Sequence, residues 1–242
     1  MLHKVKGLVL RTTRYSETSV IALLYTDVFG MQSYMINGVR KQKATITQGM
    51  LQPLTLVEAE VYHKSSSDIQ RLSELHVRPA LHRLPVQPPL PVLAMFLAEL
   101  ITRSVREEEA NPDFYLWLET RVQLLDLSAN PVETLLQTLL ELAGWLGFLP
   151  DAGTAEGSWL NLTEGRFERQ RDMRSTYARP ESAEQLAALL NGAVPHALPQ
   201  VGRELEHHFS PGTLQDLLLL YQLHLPGFRE PRSTALFLEM FF

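Results

Sequence analysis

The residues of this chain best placed to do chemistry are cations. Gly38-Val39-Arg40-Lys41-Gln42-Lys43 sets three positive charges into six residues. Lys6, Arg11 and Arg14 lie upstream, Arg14 beside Tyr15, and Tyr34 precedes the basic segment. Lysine and arginine on loops gain affinity for phosphates by releasing condensed counterions. Aromatic rings beside them offer faces on which unpaired bases stack. Cations interleaved with tyrosines therefore suit a nucleic-acid strand. They suit equally a solvated basic loop, with Tyr15 and Tyr34 serving as core tyrosines.

Signatures of catalysis are missing from the sequence. It has no Walker-type phosphate loop, no GxGxxG, no HExxH and no GxSxG. It has no cysteine, so it can form neither a disulfide, nor a cysteine nucleophile, nor a thiolate metal site. Glu107-Glu108-Glu109 reads as a solvated helix end. On a helix the adjacent His207 and His208 would point about 100° apart, so they read as surface or capping residues. Asn161-Leu162-Thr163 matches a glycosylation tripeptide that is common by chance. A protein with no catalytic residues, no cofactor, no metal and no small-molecule substrate is expected.

The formal net charge of −5 hides an asymmetry. Residues 1–80 hold ten Lys and Arg against six Asp and Glu, whereas residues 81–242 hold twelve against twenty-one. All five lysines (Lys4, Lys6, Lys41, Lys43 and Lys64) fall in the first part. A basic module on an acidic body points to a polyanionic partner for the module. The segment from Met1 to Arg11 lacks an apolar signal core, and no apolar run nears the roughly 20 residues of a membrane span. A soluble, cytoplasmic protein without membrane contact is expected.

The elements that must position these cations follow from periodicity. Val5 to Thr13, Thr18 to Thr26, Met31 to Asn37, Leu54 to His63 and Ile69 to Val77 read as strands, with a turn at Asp27-Val28-Phe29-Gly30. Between Leu54 and His63 the alternation is plain: Val57, Ala59 and Val61 on one face, Glu58, Glu60 and Tyr62 on the other. Five strands in so short a span predict an OB-fold barrel. Pro85, Pro88, Pro89 and Pro91 then break regular structure. Beyond them the period becomes helical, with Asn111-Pro112 and Asn130-Pro131 as start signals and Gly147 and Pro150 as a stop. Trp159 to Phe167 reads as a short hairpin. The predicted architecture is α+β: a five-stranded OB-fold barrel over residues 1–80, then an α-helical domain over residues 81–242 with a β-hairpin inserted near 158–168.

An ordered set of short segments resembles the RecO family of bacterial recombination mediators. Lys6-Gly7-Leu8-Val9-Leu10-Arg11, Tyr15-Ser16-Glu17-Thr18, Tyr25-Thr26 with Gly30, Asn37-Gly38-Val39-Arg40 and Leu51-Gln52-Pro53-Leu54 are similar, in that order and spacing, to the opening of that family. The similarity resumes at Phe96-Leu97-Ala98-Glu99-Leu100, Asn111-Pro112-Asp113-Phe114, Gly147-Phe148-Leu149-Pro150-Asp151 and Tyr221 to Phe228. Trp159 to Phe167 resembles the Bacteroidetes version.

The resemblance implies a protein that binds single- and double-stranded DNA and anneals complementary strands. It also implies binding to RecR and to the C-terminal tail of the single-strand-binding protein SSB, and help in loading RecA onto SSB-coated DNA. Lys6, Arg11, Arg14, Arg40, Lys41 and Lys43 become the expected phosphate contacts, and Tyr15 and Tyr34 the expected stacking platforms. Two departures stand out. Some members carry a four-cysteine zinc site after the segment matching Gly147 to Asp151; here the hairpin must hold without metal. Some carry paired arginines on the helix that here runs from Glu133 to Leu146, which has none. An SSB tail, acidic with an apolar end, needs an apolar pocket with a positive rim; Arg103, Arg106 and Arg121 are the candidates on helices expected to pack antiparallel, and the alternative is that they pair with Glu107 to Glu109 and Glu119. Two rival readings are an OB-fold protein-interaction adaptor without annealing activity and a DNA-processing hydrolase.

Overall fold

Five strands close into a barrel in the order β1-β2-β3-β5-β4, in a computed structural model that describes residues 1–39, 41, 43–105, 109–192 and 209–242. They are β1 (Leu2–Arg14), β2 (Val20–Thr26), β3 (Gly30–Ile36), β4 (Leu56–Tyr62) and β5 (Ile69–Val77). All pairings are antiparallel except β3 with β5, and β1 joins the barrel's two sides by pairing with both β2 and β4. This is the OB-type barrel that the alternation predicts. The inward positions follow the period of two: Val57, Ala59 and Val61 on β4, and Val20, Ala22 and Leu24 on β2, share one core. Gly30 takes the turn into β3 at φ 59°, where a side chain would be strained. The segment after β3 is pinned to the same core by Val39 and Ile46.

The pairing of β1 with β2 slips by one residue between Val9 and Arg11. Leu10 is the extra residue of a bulge. Before it, Val9 faces the core residue Leu24; after it, Arg11 lies opposite Leu23 and Thr12 opposite the core residue Ala22.

The chain forms two compact units. The first holds residues 1–127 together with 231–237, and the second holds 128–230 together with 238–242. Residue 80, where the sequence divides by composition, lies between β5 and α1 (Leu90–Ser104); the first unit continues through α2 (Pro112–Leu127). α1 and α2 both pack against the barrel. Each makes its main contacts with β1, and Phe114 of α2 meets Tyr25 edge-on at 5.1 Å. Asp126, near the end of α2, accepts the backbone N–H groups of His82, Arg83 and Leu84 at 2.9, 2.7 and 2.6 Å, fixing the proline-rich connection. The Asn111 side chain caps α2 through the Phe114 N–H at 3.0 Å.

In the second unit α3 (Pro131–Trp145), α4 (Pro180–Gly192) and α5 (Pro211–His224) pack on one another. Asn130 caps α3 through the Glu133 N–H, and Gly147 ends that turn with φ 86°. The Tyr221 hydroxyl donates to the Leu139 carbonyl at 2.6 Å, tying α5 to α3 inside the core. The hairpin pairs β6 (Trp159–Asn161) with β7 (Arg166–Glu168). Its turn is organised by Asn161, whose side-chain oxygen accepts the N–H groups of Thr163 and Glu164. Asn161 is therefore buried and engaged, which leaves the glycosylation tripeptide a coincidence. α6 (Thr234–Phe241) closes the described chain. Glu107, Glu108, His207 and His208 lie outside the described residues.

Candidate nucleic-acid interface

A groove of about 930 Å³ opens in the first unit where the second half of β1 meets the 3-10 helix Gln48–Leu51 and α1. Four arginines line it: Arg11, Arg14, Arg103 and Arg232. Among its lining residues Glu99 is the one carboxylate. Glu99 already accepts the backbone N–H and hydroxyl of Ser233 at 3.1 and 3.0 Å. It thus holds the chain beside Arg232 and is less available to neutralise the arginines. The floor is partly apolar, with Leu10, Val20, Leu51 and Met95, and Gln48 and Gln52 add amides.

Each wall has a local reason. On α1, Met95, Glu99, Thr102 and Arg103 recur at helical spacing and so share one face. On β1, the bulge turns Arg11 outward, and the Thr12 hydroxyl donates to the Leu51 carbonyl at 3.0 Å, clamping the 3-10 helix to the strand. Arg14 is exposed and its Nε donates to the Ser16 carbonyl at 3.3 Å. Arg232 is held near α1 by the Ser233–Glu99 bonds and by Phe237, which stacks on Phe96 at 4.8 Å. Three exposed arginines, Arg11, Arg14 and Arg232, with the half-buried Arg103, around a groove with one engaged carboxylate make a field suited to a polyanion.

The sequence-predicted residues divide. Arg11 and Arg14 lie in the groove. Tyr15 follows them and is 60% exposed, open for stacking. Tyr34 is a correction: it is fully buried in the barrel core, and burial pushes its phenol up to about 12, so it is a core tyrosine and no platform. Lys6 lies elsewhere. It lines a different depression with Lys4, Asp27, Glu58, Glu60 and Glu74, where carboxylates outnumber lysines. That surface repels a phosphate chain. Lys41 and Lys43 are exposed but do not line the groove; Arg40 and Gln42 lie outside the described residues.

The expected rim for an SSB tail does not assemble. Arg121 is 2% exposed, buried on the inner side of α2, and cannot rim an open pocket. Arg106 lies outside the described residues, and Arg103 belongs to the groove. Arg232, Gln48, Gln52 and Glu99 were not foreseen. Only the tertiary return of residues 231–237 brings Arg232 to α1. Among the described residues no group of three or more His, Asp or Glu is arranged to hold a metal ion, and no helix is long and apolar enough to cross a membrane.

Comparison with known proteins agrees with this architecture. The family described as "Recombination protein O N terminal" matches residues 1–79, the barrel, and "Recombination protein O C terminal" matches residues 92–193. The DNA repair protein RecO of Christiangramia forsetii is 31% identical over 243 residues, covering 100% of both chains. That of Phocaeicola vulgatus is 28% identical over 249 residues, again with 100% of both chains covered. That of Bacteroides fragilis is 28% identical over 250 residues, with the same coverage. The similarity to these proteins runs the full length of the chain, and the chain belongs to the RecO family of DNA repair and recombination proteins.

Proposed function

We propose that this protein is a DNA-binding recombination mediator without catalytic residues, and that the arginine groove of its first unit holds the DNA backbone. The supporting observation is the lining itself: Arg11, Arg14, Arg103 and Arg232 around one carboxylate that is already hydrogen-bonded. Phosphates are held by the guanidinium groups as charge-assisted bonds, and Tyr15 stacks on a base at the rim. Both single and double strands fit such a site, because it reads charge and backbone rather than base edges. Lys41 and Lys43 add phosphate contacts outside the groove, and Arg40 is a further phosphate contact. Holding strands without reading sequence is what annealing of complements requires. In the cytoplasm, at the nucleoid, the protein acts with RecR and with the SSB tail to help load RecA onto SSB-coated DNA. For the tail, Arg103 above the apolar Met95 is the remaining candidate of the three arginines first considered.

The test is a salt-dependent titration of a fluorescent single strand and a duplex with the full chain. Each phosphate contact contributes about 0.7 to the logarithmic salt slope on single strands and about 0.9 on duplex. Replacing Arg11, Arg14 and Arg232 with Ala should weaken both and lower the single-strand slope by about 2. An unchanged affinity and slope would move the site away from the groove. A wild type with no salt-dependent DNA binding would leave a protein-interaction adaptor, and cleaved DNA in the presence of Mg²⁺ would reveal a hydrolase.

A further inference from the structure

The second unit carries an arginine cluster unrelated to the groove. Residues 81–242 contain twelve arginines, and five of them (Arg166, Arg169, Arg171, Arg174 and Arg179) fall within fourteen residues on and after β7. The same stretch contains only two acidic residues, Glu168 and Asp172. In an otherwise acidic body this is a local reversal of sign.

Two of the five arginines are neutralised at home. Arg166 pairs with Glu168 at 2.8 Å, and Arg179 with Asp216 at 3.0 Å. Glu168 is further occupied by the Asn161 amide and the Tyr177 hydroxyl. Asp172 accepts the Arg174 backbone N–H, a turn contact. Arg169, Arg171 and Arg174 are exposed and have no carboxylate within ion-pair distance among the described residues.

Arg171 shows what the surface can hold. Its guanidinium carbon lies 4.8 Å from the Trp159 ring centre and 4.9 Å from that of Tyr177. Two aromatic rings thus hold one flat, cationic group. Tyr177 is fixed at its hydroxyl, which donates to Glu168 and accepts the Asp172 N–H at 2.8 Å. Trp159 also lines a small cavity with Ser158, Pro180 and Glu184. Three unpaired cations around two half-exposed ring faces match the requirements of a single strand, which brings phosphates and flat bases together. An acidic peptide would use the cations and leave the rings without a purpose.

We propose that the surface formed by Arg169, Arg171, Arg174, Trp159 and Tyr177 is a second nucleic-acid strand site, separate from the arginine groove. The arginines take phosphates. Arg171 acts as a placeholder between the rings, giving way to a base and moving onto the backbone. With one site in each unit, a single chain holds two strands at once. This inference rests on the reading that the protein binds DNA, and it adds a location that the barrel does not provide.

The test uses the full chain with a fluorescein-labelled dT oligonucleotide, titrated against salt and under stoichiometric conditions. Arg169→Ala, Arg171→Ala and Arg174→Ala together should lower the single-strand salt slope by about 2, remove one of two bound oligonucleotides and slow annealing of a complementary pair. Arg169→Glu with Arg174→Glu, which leaves Arg171 between its rings, should do the same without disturbing the fold, as circular dichroism would verify. Trp159→Phe should abolish the part of the DNA-induced tryptophan quenching that survives in the groove variant. If both hairpin variants keep slope and stoichiometry, the proposal fails while the groove reading stands. If they keep both oligonucleotides but lose an acidic peptide with an apolar C-terminus, the cluster is a protein-docking site and the proposal is likewise overturned. If the wild type binds no DNA even at low salt, both readings fall.

Discussion

Replacing Asp126 probes how firmly the first unit is held together. The residue is 3% exposed, and its carboxylate accepts three backbone N–H groups from the proline-rich connection, at 2.9, 2.7 and 2.6 Å. A hydrogen bond to a charged group contributes about 1.5–3 kcal/mol net, and a buried donor left without a partner costs about 1–3 kcal/mol. His82 is exposed and Arg83 half-exposed, so water can take over their amides; Leu84 is buried, so its amide is stranded. Asp126→Ala should therefore cost about 3–4 kcal/mol, and Asp126→Asn, which keeps one acceptor, about half of that. For a chain of this size each kcal/mol lowers Tm by about 2–4 °C, so the Ala variant should melt roughly 10 °C lower. The pH dependence has a definite sign. Burial alone would raise the carboxyl pKa, but the amides of His82, Leu84 and Arg83 outweigh it and hold the group below its ordinary value. A depressed folded pKa adds stability above the unfolded value of about 3.9 and loses it as pH falls through the folded one. Denaturant melts of wild type and Asp126→Asn should thus differ by a constant amount above about pH 5 and converge only in stronger acid. A cost below about 1 kcal/mol for Ala, or a difference that shrinks on going from pH 5 to pH 7, would refute the role assigned to these bonds.

Two more outcomes follow. Tyr34→Phe should leave affinity for single strands unchanged, whereas Tyr15→Ala should weaken it by up to about 1–3 kcal/mol, the worth of one stacked base; fluorescence anisotropy at fixed salt separates them, and equal losses would contradict the burial of Tyr34. A chelator should leave Tm unchanged, because the hairpin is held by Asn161 and by the His224 ring at the Leu162 carbonyl; stoichiometric zinc in the purified protein would contradict this.

The barrel was legible because its information is local. Alternation along Leu56–Tyr62 and the asparagines before Pro112 and Pro131 each act within a few residues of themselves. The burial of Tyr34 was legible too, since it shares the inward phase of Ile36. Arg121 carried a readable signal: it stands three residues after Leu118 and four before Leu125, on the buried stripe of α2. Its sign of charge argued for the surface, and packing prevailed. The groove was only half legible. Arg11 and Arg14 announce themselves, but Arg232 reaches α1 through the bond from Ser233 to Glu99, which spans 134 positions. Nothing periodic encodes such a contact. The arginine run after β7 was in plain view in the sequence, and its pairing with Trp159 and Tyr177 emerges only from the turn that brings them together.

The one-residue slip at Leu10 divides β1 into two parts with different duties. Upstream, Val5 and Val9 point inward and serve cohesion; downstream, the phase is inverted and Arg11 points out to the groove. Were the strand regular, Arg11 would share the inward phase of Val9 and its charge would press into the apolar core. A single backbone irregularity thus sets a border between tolerance and function inside one continuous element. Substitutions of Val5 or Val9 should register as loss of folding, and those of Arg11 or Arg14 as loss of ligand. Deleting Leu10 would leave Arg11 directly after Val9, still outward opposite Leu23 in a regular strand, and would erase the bend that separates the two parts.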